Sequence, residues 1–273
     1  MPNTKINGIN IAYQQHGTGT PILCIGGTGM PPMLWDSLYV PALTEAGYQV
    51  ITYSNRGVQP SDGPRGPYAV EEMAADAVAL LDHLELKNVV MLGVSLGGFI
   101  VEELCRARPE LVKCAILISC AGPTTAFVKA KLNAERQMQE MGGIPTPYDL
   151  IDALSVTLPE RTLRDDDATV EMWSSAIIQV TAWAGDGRYG QFAASWSWLL
   201  DQDRMPIYEN MKPVCLVMAF ENDLMFPPRC GRKAAEAMSN GRFVEIPDAT
   251  HGGFAAKASE CVQAIKQFLA ENT

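Results

Sequence analysis

The chain has 273 residues, 47% of them hydrophobic, which is enough for a substantial core in one large or two small domains. Its 31 acidic residues outnumber 21 basic ones, and the formal charge of -10 disfavours nucleic acid and anionic membrane surfaces as partners. The seven cysteines form no CxxC pair, so neither disulfides nor a zinc site is expected. The absence of a bilayer-length apolar stretch and of a signal-peptide pattern in MPNTKINGINI predicts a cytoplasmic protein.

The predicted strands and helices alternate along most of the chain. Asn7-Gly8 between alternating apolar residues predicts an opening hairpin. Short apolar runs, typical of strands buried on both faces, follow at 21–27, 48–54, 88–94, 113–119, 214–220 and 242–247. Helical patterns separate most of them, as in the apolar stripe between Val70 and Leu84. These units predict an α/β fold with a mostly parallel central sheet of about eight strands, flanked by helices.

One connection, between Ser119 and Val214, is too long for an ordinary loop. Helical patterns at 125–141, 148–157, 168–181 and 189–201 predict an inserted helical cap there. We therefore expect a core domain of residues 1–122 and 206–273 and a cap segment of residues 123–205. Most cap aromatics should pack against the core, and others should line an adaptable apolar substrate pocket. The predicted pocket residues are Gly27, Met30, Trp173, Trp183 and Trp196.

A serine between glycines follows the third of these apolar runs, in MLGVSLGGF (91–99). Gly93-Val94-Ser95-Leu96-Gly97 matches G-x-S-x-G, with an apolar strand before it and an apolar helix after it. A sharp strand-to-helix turn strains the serine backbone and leaves no room for β-carbons on the residues two positions before and after the serine. The pattern predicts an exposed Ser95 nucleophile, with the Leu96 amide at the helix N-terminus facing any developing negative charge. The alternative is a glycine-rich turn that only packs a helix on a strand.

A serine nucleophile needs a neighbouring base, and the chain has three histidines. His16 follows the opening hairpin and His83 lies near the end of a predicted helix, so both are expected to be structural or solvated. His251, in DATHGG, follows the last predicted strand and therefore shares an edge of the sheet with Ser95. We predict that His251 is the base.

The acid that orients this histidine is expected after the preceding strand, in AFENDLMF (219–226). Asp223 is the preferred residue and Glu221 the alternative. Asp248 lies three residues before His251 in a tight loop and is expected to point away from the imidazole. The segment 119–122, which follows an earlier strand, contains no carboxylate that could compete.

A glycine-rich loop, GGTGM (26–30), follows the first buried strand and can approach a ligand closely. It is expected to supply the second half of an oxyanion hole. A strand followed by glycines also begins dinucleotide-binding folds. Their G-x-G-x-x-G motif would need glycine at the position of Pro32, and an acidic residue at the position of Ser54. GVSLGG lacks the lysine of a phosphate-binding loop, so nucleotide binding is disfavoured.

The chain as a whole resembles the α/β-hydrolase superfamily. The segments that carry the resemblance are GGTG (26–29), NRGVQPSD (55–62), GVSLGG (93–98), END (221–223) and DATHGG (248–253). Members often have His-Gly where this chain has Gly26-Gly27, and an aspartate where it has Ser54. The resemblance implies a catalytic triad of Ser95, Asp223 and His251 and an oxyanion hole formed by the Leu96 and Thr28 amides.

The implied chemistry is acyl transfer without a metal or a cofactor, as in carboxylesterases, enol-lactonases, haloperoxidase-like perhydrolases and natural-product hydrolases. The leading hypothesis is a serine hydrolase of a small apolar ester, lactone or related carbonyl compound. Two alternatives remain: lyase or carbon–carbon bond chemistry with His251 as the base, and a non-catalytic ligand-binding protein. The sequence leaves the substrate and the oligomeric state open, and it is compatible with a homo-oligomer.

Overall fold

The computed structural model describes residues 1–180 and 183–273. A single eight-stranded sheet has the order β1-β2-β4-β3-β5-β6-β7-β8. The strands are Asn3–Ile6 (β1), Ile9–His16 (β2), Thr20–Ile25 (β3), Tyr48–Tyr53 (β4), Val89–Val94 (β5), Val112–Ile118 (β6), Val214–Phe220 (β7) and Gly241–Ile246 (β8). Strands β3 to β8 are parallel and the opening hairpin is antiparallel. The predicted mostly parallel α/β fold is therefore confirmed.

The opening hairpin closes through the predicted Asn-Gly turn. Asn7 and Gly8 both have positive φ, at 48° and 85°, and Ile6 pairs with Ile9 across the turn. Two consecutive positive φ angles give a turn whose twist matches that of paired strands. The hairpin extends the sheet beyond β4.

Helices cover both faces of the sheet and form a separate group between β6 and β7. They are Met33–Leu38 (α1), Val40–Glu45 (α2), Val70–His83 (α3), Leu96–Ala107 (α4), Ala126–Glu140 (α5), Thr146–Thr157 (α6), Glu160–Asp165 (α7), Asp167–Val180 (α8), Gly187–Leu200 (α9), Met205–Glu209 (α10), Pro228–Ala237 (α11), Gly253–Ala256 (α12) and Ala258–Asn272 (α13). One hydrophobic core includes Leu80 of α3 and Leu104 of α4, and a second includes Leu43 of α2 and Phe268 of α13. Within these described ranges, no helix is both long and apolar enough to cross a membrane.

Helices α5 to α9 occupy the long connection in which the inserted cap is predicted. Four of them overlap the four predicted segments, although Thr181, the last residue of the segment 168–181, lies outside the described residues. The short helix α7 was not predicted, because its sequence ERTLRD has a single apolar residue and therefore no apolar stripe.

The end of the cap segment is anchored by the buried guanidinium of Arg204. It donates to the Glu102 carboxylate on α4 at 2.5 Å and to the carbonyl oxygens of Cys120 and Gly122 at 2.6 and 3.1 Å. The Tyr208 hydroxyl donates to the same carboxylate at 2.7 Å. Because the guanidinium joins α4 to the loop after β6, it fixes where the chain leaves and rejoins the sheet.

Replacing Arg204 by methionine should strongly destabilise the protein, because Glu102 would remain as a buried carboxylate without its cation. We expect Arg204→Met to lower the free energy of unfolding by about 3–5 kcal/mol, measured by urea denaturation. The control is Arg136→Met, which breaks a solvent-accessible pair with Asp201 and should cost no more than about 1 kcal/mol. Equal losses in the two variants would contradict an anchoring role for Arg204.

Candidate active site

Ser95 occupies the turn between β5 and α4, with φ 50° and ψ −120°. This backbone conformation is strained for a residue with a β-carbon. A β-carbon on Gly93 would lie 2.3 Å from the Gly97 carbonyl oxygen, and one on Gly97 would lie 2.1 Å from the Ile25 carbonyl oxygen. Glycine is therefore required at both positions. Without β-carbons there, α4 can begin immediately after Ser95 and pack closely against β3 and β5.

The His251 imidazole lies between Ser95 and Asp223. Its Nε2 is 3.2 Å from the Ser95 hydroxyl oxygen, and its Nδ1 is 2.9 Å from Oδ2 of Asp223. A carboxylate only accepts hydrogen bonds, so Nδ1 carries the proton and Nε2 is left to accept from Ser95. The three residues follow β5, β7 and β8, whose parallel arrangement brings their carboxyl ends to one edge of the sheet.

Asp223 is the carboxylate beside His251, and the other two candidates point elsewhere. Its Oδ1 accepts the backbone amides of the residues two and three positions later, at 2.7 and 3.0 Å, which hold the buried side chain in place. The Glu221 carboxylate accepts the Asp248 amide at 2.8 Å. The Asp248 side chain is half exposed and pairs with Arg161 at 2.9 Å.

The proximity of Asp223 and His251 shifts the pKa of each group. Burial alone would raise the pKa of Asp223, but the charge and hydrogen bond of His251, with hydrogen bonds from Ser119 and the Phe226 amide, lower it below its usual range. Burial alone would lower the pKa of His251, yet the charge and hydrogen bond of Asp223 raise it above the ordinary value of about 6.5. Asp223 therefore stabilises the protonated imidazole.

Removing the Asp223 charge should lower the pKa of His251, because burial then acts without the compensating carboxylate. We expect this decrease in Asp223→Asn, measured by NMR titration of the three histidines. Asp248→Asn is the matched control: it removes one carboxylate near His251 in sequence that pairs with Arg161 instead. If Asp248→Asn shifts the pKa of His251 as much as Asp223→Asn does, the assignment of Asp223 is wrong.

Sequence analysis did not identify Ser119, which also contacts this pair. Ser119 directly follows β6 with φ 52°, and its hydroxyl donates to Oδ2 of Asp223. The hydroxyl oxygen is also 2.9 Å from Nδ1 of His251. The segment 119–122 contains no carboxylate, and no local pattern distinguishes this serine from any other residue after a strand. Its position at the same edge of the sheet was the available signal.

The glycine-rich loop lies directly against Ser95. A β-carbon on Gly27 would be 3.4 Å from Cβ of Ser95. Gln191 on α9 accepts the Gly29 amide at 2.8 Å and donates to the Arg56 carbonyl at 2.8 Å. Because its side chain is fully buried between the two segments, this helix of the cap segment holds the loop in position. Sequence analysis did not identify Gln191 either, since the contact spans most of the chain.

The two predicted oxyanion-hole residues lie on two segments that border the cavity at Ser95. Leu96 is the first residue of α4, where backbone amides have no acceptor within the helix. Thr28 belongs to the loop beside Ser95 and lines the same cavity. Leu96 thus directly follows the serine, and Thr28 reaches the same cavity from a separate loop.

A cavity of about 580 Å³ lies above Ser95 and His251, between the sheet edge and helices α5, α6, α8 and α9. Its wall is mainly apolar and includes four of the predicted pocket residues: Gly27, Met30, Trp173 and Trp183. Trp196 is buried and donates its indole N–H to Glu135, which does line the cavity. In the part of the chain that the structure describes, no three His, Cys, Asp or Glu side chains are grouped as a metal ion would require.

The serine turn, the acid and histidine that follow later strands, and the parallel sheet together define a class of protein. The model of the alpha/beta hydrolase fold family matches residues 20–258, and the chain belongs to this family. The predicted family membership is confirmed.

Individual relatives cover nearly the whole chain. The Mycobacterium tuberculosis protein BpoC, whose name describes it provisionally as a non-heme bromoperoxidase, is 34% identical over 263 residues, covering 96% of this chain and 98% of BpoC. Its crystal structure superimposes with a TM-score of 0.85 over 97% of each chain, at 32% identity. The rhodomycin D methylesterase DnrP of Streptomyces peucetius is 25% identical over 92% of each chain.

Proposed function

We propose that the protein is a serine hydrolase that cleaves a small ester, lactone or related carbonyl compound by acyl transfer. The observation that carries this proposal is the hydrogen-bonded series from Ser95 through His251 to Asp223, beneath a mainly apolar cavity. The methylesterase name of DnrP supports ester hydrolysis. The name of BpoC describes a different activity and does not specify the reaction of this chain.

The first half of the reaction forms an acyl-enzyme. Ser95 transfers its proton to Nε2 of His251 as its oxygen attacks the substrate carbonyl, and Asp223 stabilises the imidazolium. The amides of Leu96 and Thr28 donate to the resulting oxyanion, where such preorganised donors lower the barrier most. His251 then returns the proton to the leaving alcohol oxygen, and the acyl group stays on Ser95.

The second half of the reaction releases the acid. His251 takes a proton from a water molecule while the water oxygen attacks the acyl carbonyl. It then returns that proton to the Ser95 oxygen as the bond between this oxygen and the acyl carbon breaks. Helices of the cap segment supply much of the cavity wall, which excludes bulk water and selects the substrate. We propose that residues 123–205 act as the lid of this cavity.

An activated Ser95 should react with a fluorophosphonate, because the electrophilic phosphorus is attacked far faster by an activated serine than by an ordinary hydroxyl. We expect one adduct on the wild-type protein by intact mass, and none on Ser95→Ala. His251→Ala should react at least 100-fold more slowly, because no base then accepts the serine proton.

The control is Ser259→Ala, which removes an exposed hydroxyl on α13 that does not line the cavity and should react as the wild type does. Labelling that persists in Ser95→Ala would disprove the proposed nucleophile. Turnover retained by Ser95→Ala but lost by His251→Ala would favour lyase chemistry with His251 as the base.

Ser119 should act as a positioning residue in this reaction, because it contacts both Asp223 and His251. We expect Ser119→Ala to lower kcat for 4-nitrophenyl esters about tenfold, the effect of one hydrogen bond, with KM nearly unchanged. Asp223 keeps its two backbone hydrogen bonds, so the variant should stay folded. A fall in stability that accounts for the whole loss of activity, or an unchanged kcat, would contradict this role.

A further inference from the structure

Three charged side chains interrupt the apolar wall of the cavity and form what we call the roof cluster: Lys131 and Glu135 of α5 and Asp152 of α6. The Lys131 ammonium pairs with the Glu135 carboxylate and lies 3.0 Å from Oδ2 of Asp152. All three side chains line the same cavity as Ser95 and His251. A single bound molecule can therefore contact the cluster and the reacting serine together.

The members of the roof cluster differ in how far they are open to the cavity. The side chain of Glu135 is 2% exposed, and its second oxygen accepts the Trp196 indole N–H at 3.0 Å. Lys131 is 11% exposed and Asp152 is 26% exposed. Asp152 is thus the most accessible charge of the cluster, and its contact with Lys131 uses one of its two oxygens.

The charges along this cavity wall do not balance. Arg188 and Asp149 also line the cavity, but they form a closed pair with two hydrogen bonds of 2.6 Å and contribute no net charge. The roof cluster has two carboxylates and one ammonium, so one negative charge is left over. An uncompensated charge beside apolar surface is costly, because little water can solvate it.

The pKa shifts of Asp152 and His251 are consistent with a surplus negative charge in the roof cluster. Burial raises the pKa of Asp152 above its ordinary value despite the adjacent Lys131, which indicates a poorly solvated carboxylate. The charge of Lys131 lowers the pKa of His251 and that of Asp152 raises it. The cluster is therefore close enough to the reaction centre for its charges to act there.

We propose that the roof cluster, through Asp152, binds a protonated amine on the part of the substrate that is remote from the reacting carbonyl. The substrate class is then an amino ester or amino lactone, with an apolar span between its two polar ends. A carboxylate at the same position would meet the surplus negative charge and be repelled. This proposal rests on the proposed hydrolase function and specifies its substrate.

The test compares six-carbon 4-nitrophenyl esters that differ only at the far end: 6-aminohexanoate, hexanoate and the adipate monoester. The pH is set above the pKa values of His251 and Asp152 and below that of the amine. For the wild type we expect kcat/KM for the amino ester to exceed that for the carboxylate ester at least tenfold. In Asp152→Asn, which keeps the side-chain shape, the ratio should fall to within about threefold of unity.

The matched control is Glu140→Gln, which removes one carboxylate from the exposed end of α5 outside the cavity wall. Its ratio should equal that of the wild type. An equal shift in both variants would mean that the overall negative charge of the protein, and not the cluster, selects the substrate. A wild-type ratio near unity, or an Asp152→Asn ratio equal to that of the wild type, would also overturn the proposal.

A second measurement keeps this test separate from that of the hydrolase function and needs no variant. Hexylamine should slow fluorophosphonate labelling of wild-type Ser95 at a concentration at least tenfold below that of hexan-1-ol, because only the ammonium pairs with Asp152. Labelling of Ser95 without this difference would overturn the amine subsite while leaving the hydrolase intact. No labelling and no hydrolysis of any ester would overturn both.

Discussion

The strained turn at Ser95 is the constraint on which the arrangement of the candidate active site depends. The turn is possible because Gly93 and Gly97 have no β-carbon, and any β-carbon there would meet a backbone carbonyl within 2.3 Å. Close packing at this point places α4 directly on β3 and β5 and leaves the serine at the carboxyl edge of the sheet. The strained backbone at Ser95 costs free energy, which the packing of the surrounding core must offset.

The parallel sheet brings further polar side chains to the turn at Ser95. Since neighbouring parallel strands end at the same edge, residues that follow β6, β7 and β8 arrive beside Ser95 from three distant parts of the chain. Ser119, Asp223 and the partly exposed His251 meet there in one hydrogen-bonded group. The opposing effects of burial and charge set its protonation: the acid stays ionised and the imidazole becomes a stronger base.

Residues 123–205 line the cavity above Ser95 and also hydrogen-bond to the loops around the candidate site. Gln191 fixes the glycine-rich loop, and Arg204 fixes the segment that follows Ser119. The roof cluster adds charge to a mainly apolar cavity. Residues 123–205 therefore both line the cavity and hold backbone segments beside Ser95.

The amino-acid sequence by itself determined the alternation of strands and helices, the serine turn, and the order of serine, acid and histidine. These follow from short-range physics, because hydrophobic periodicity and steric limits at glycine act over a few residues. Only the tertiary structure decided that Asp223, and not Glu221 or Asp248, faces His251. Glu221 and Asp223 lie two residues apart after β7, and Asp248 lies in the loop after β8, so the direction of each side chain depends on the fold. The tertiary structure also revealed Ser119, Gln191 and the roof cluster, whose contacts join residues far apart in sequence and leave no local pattern.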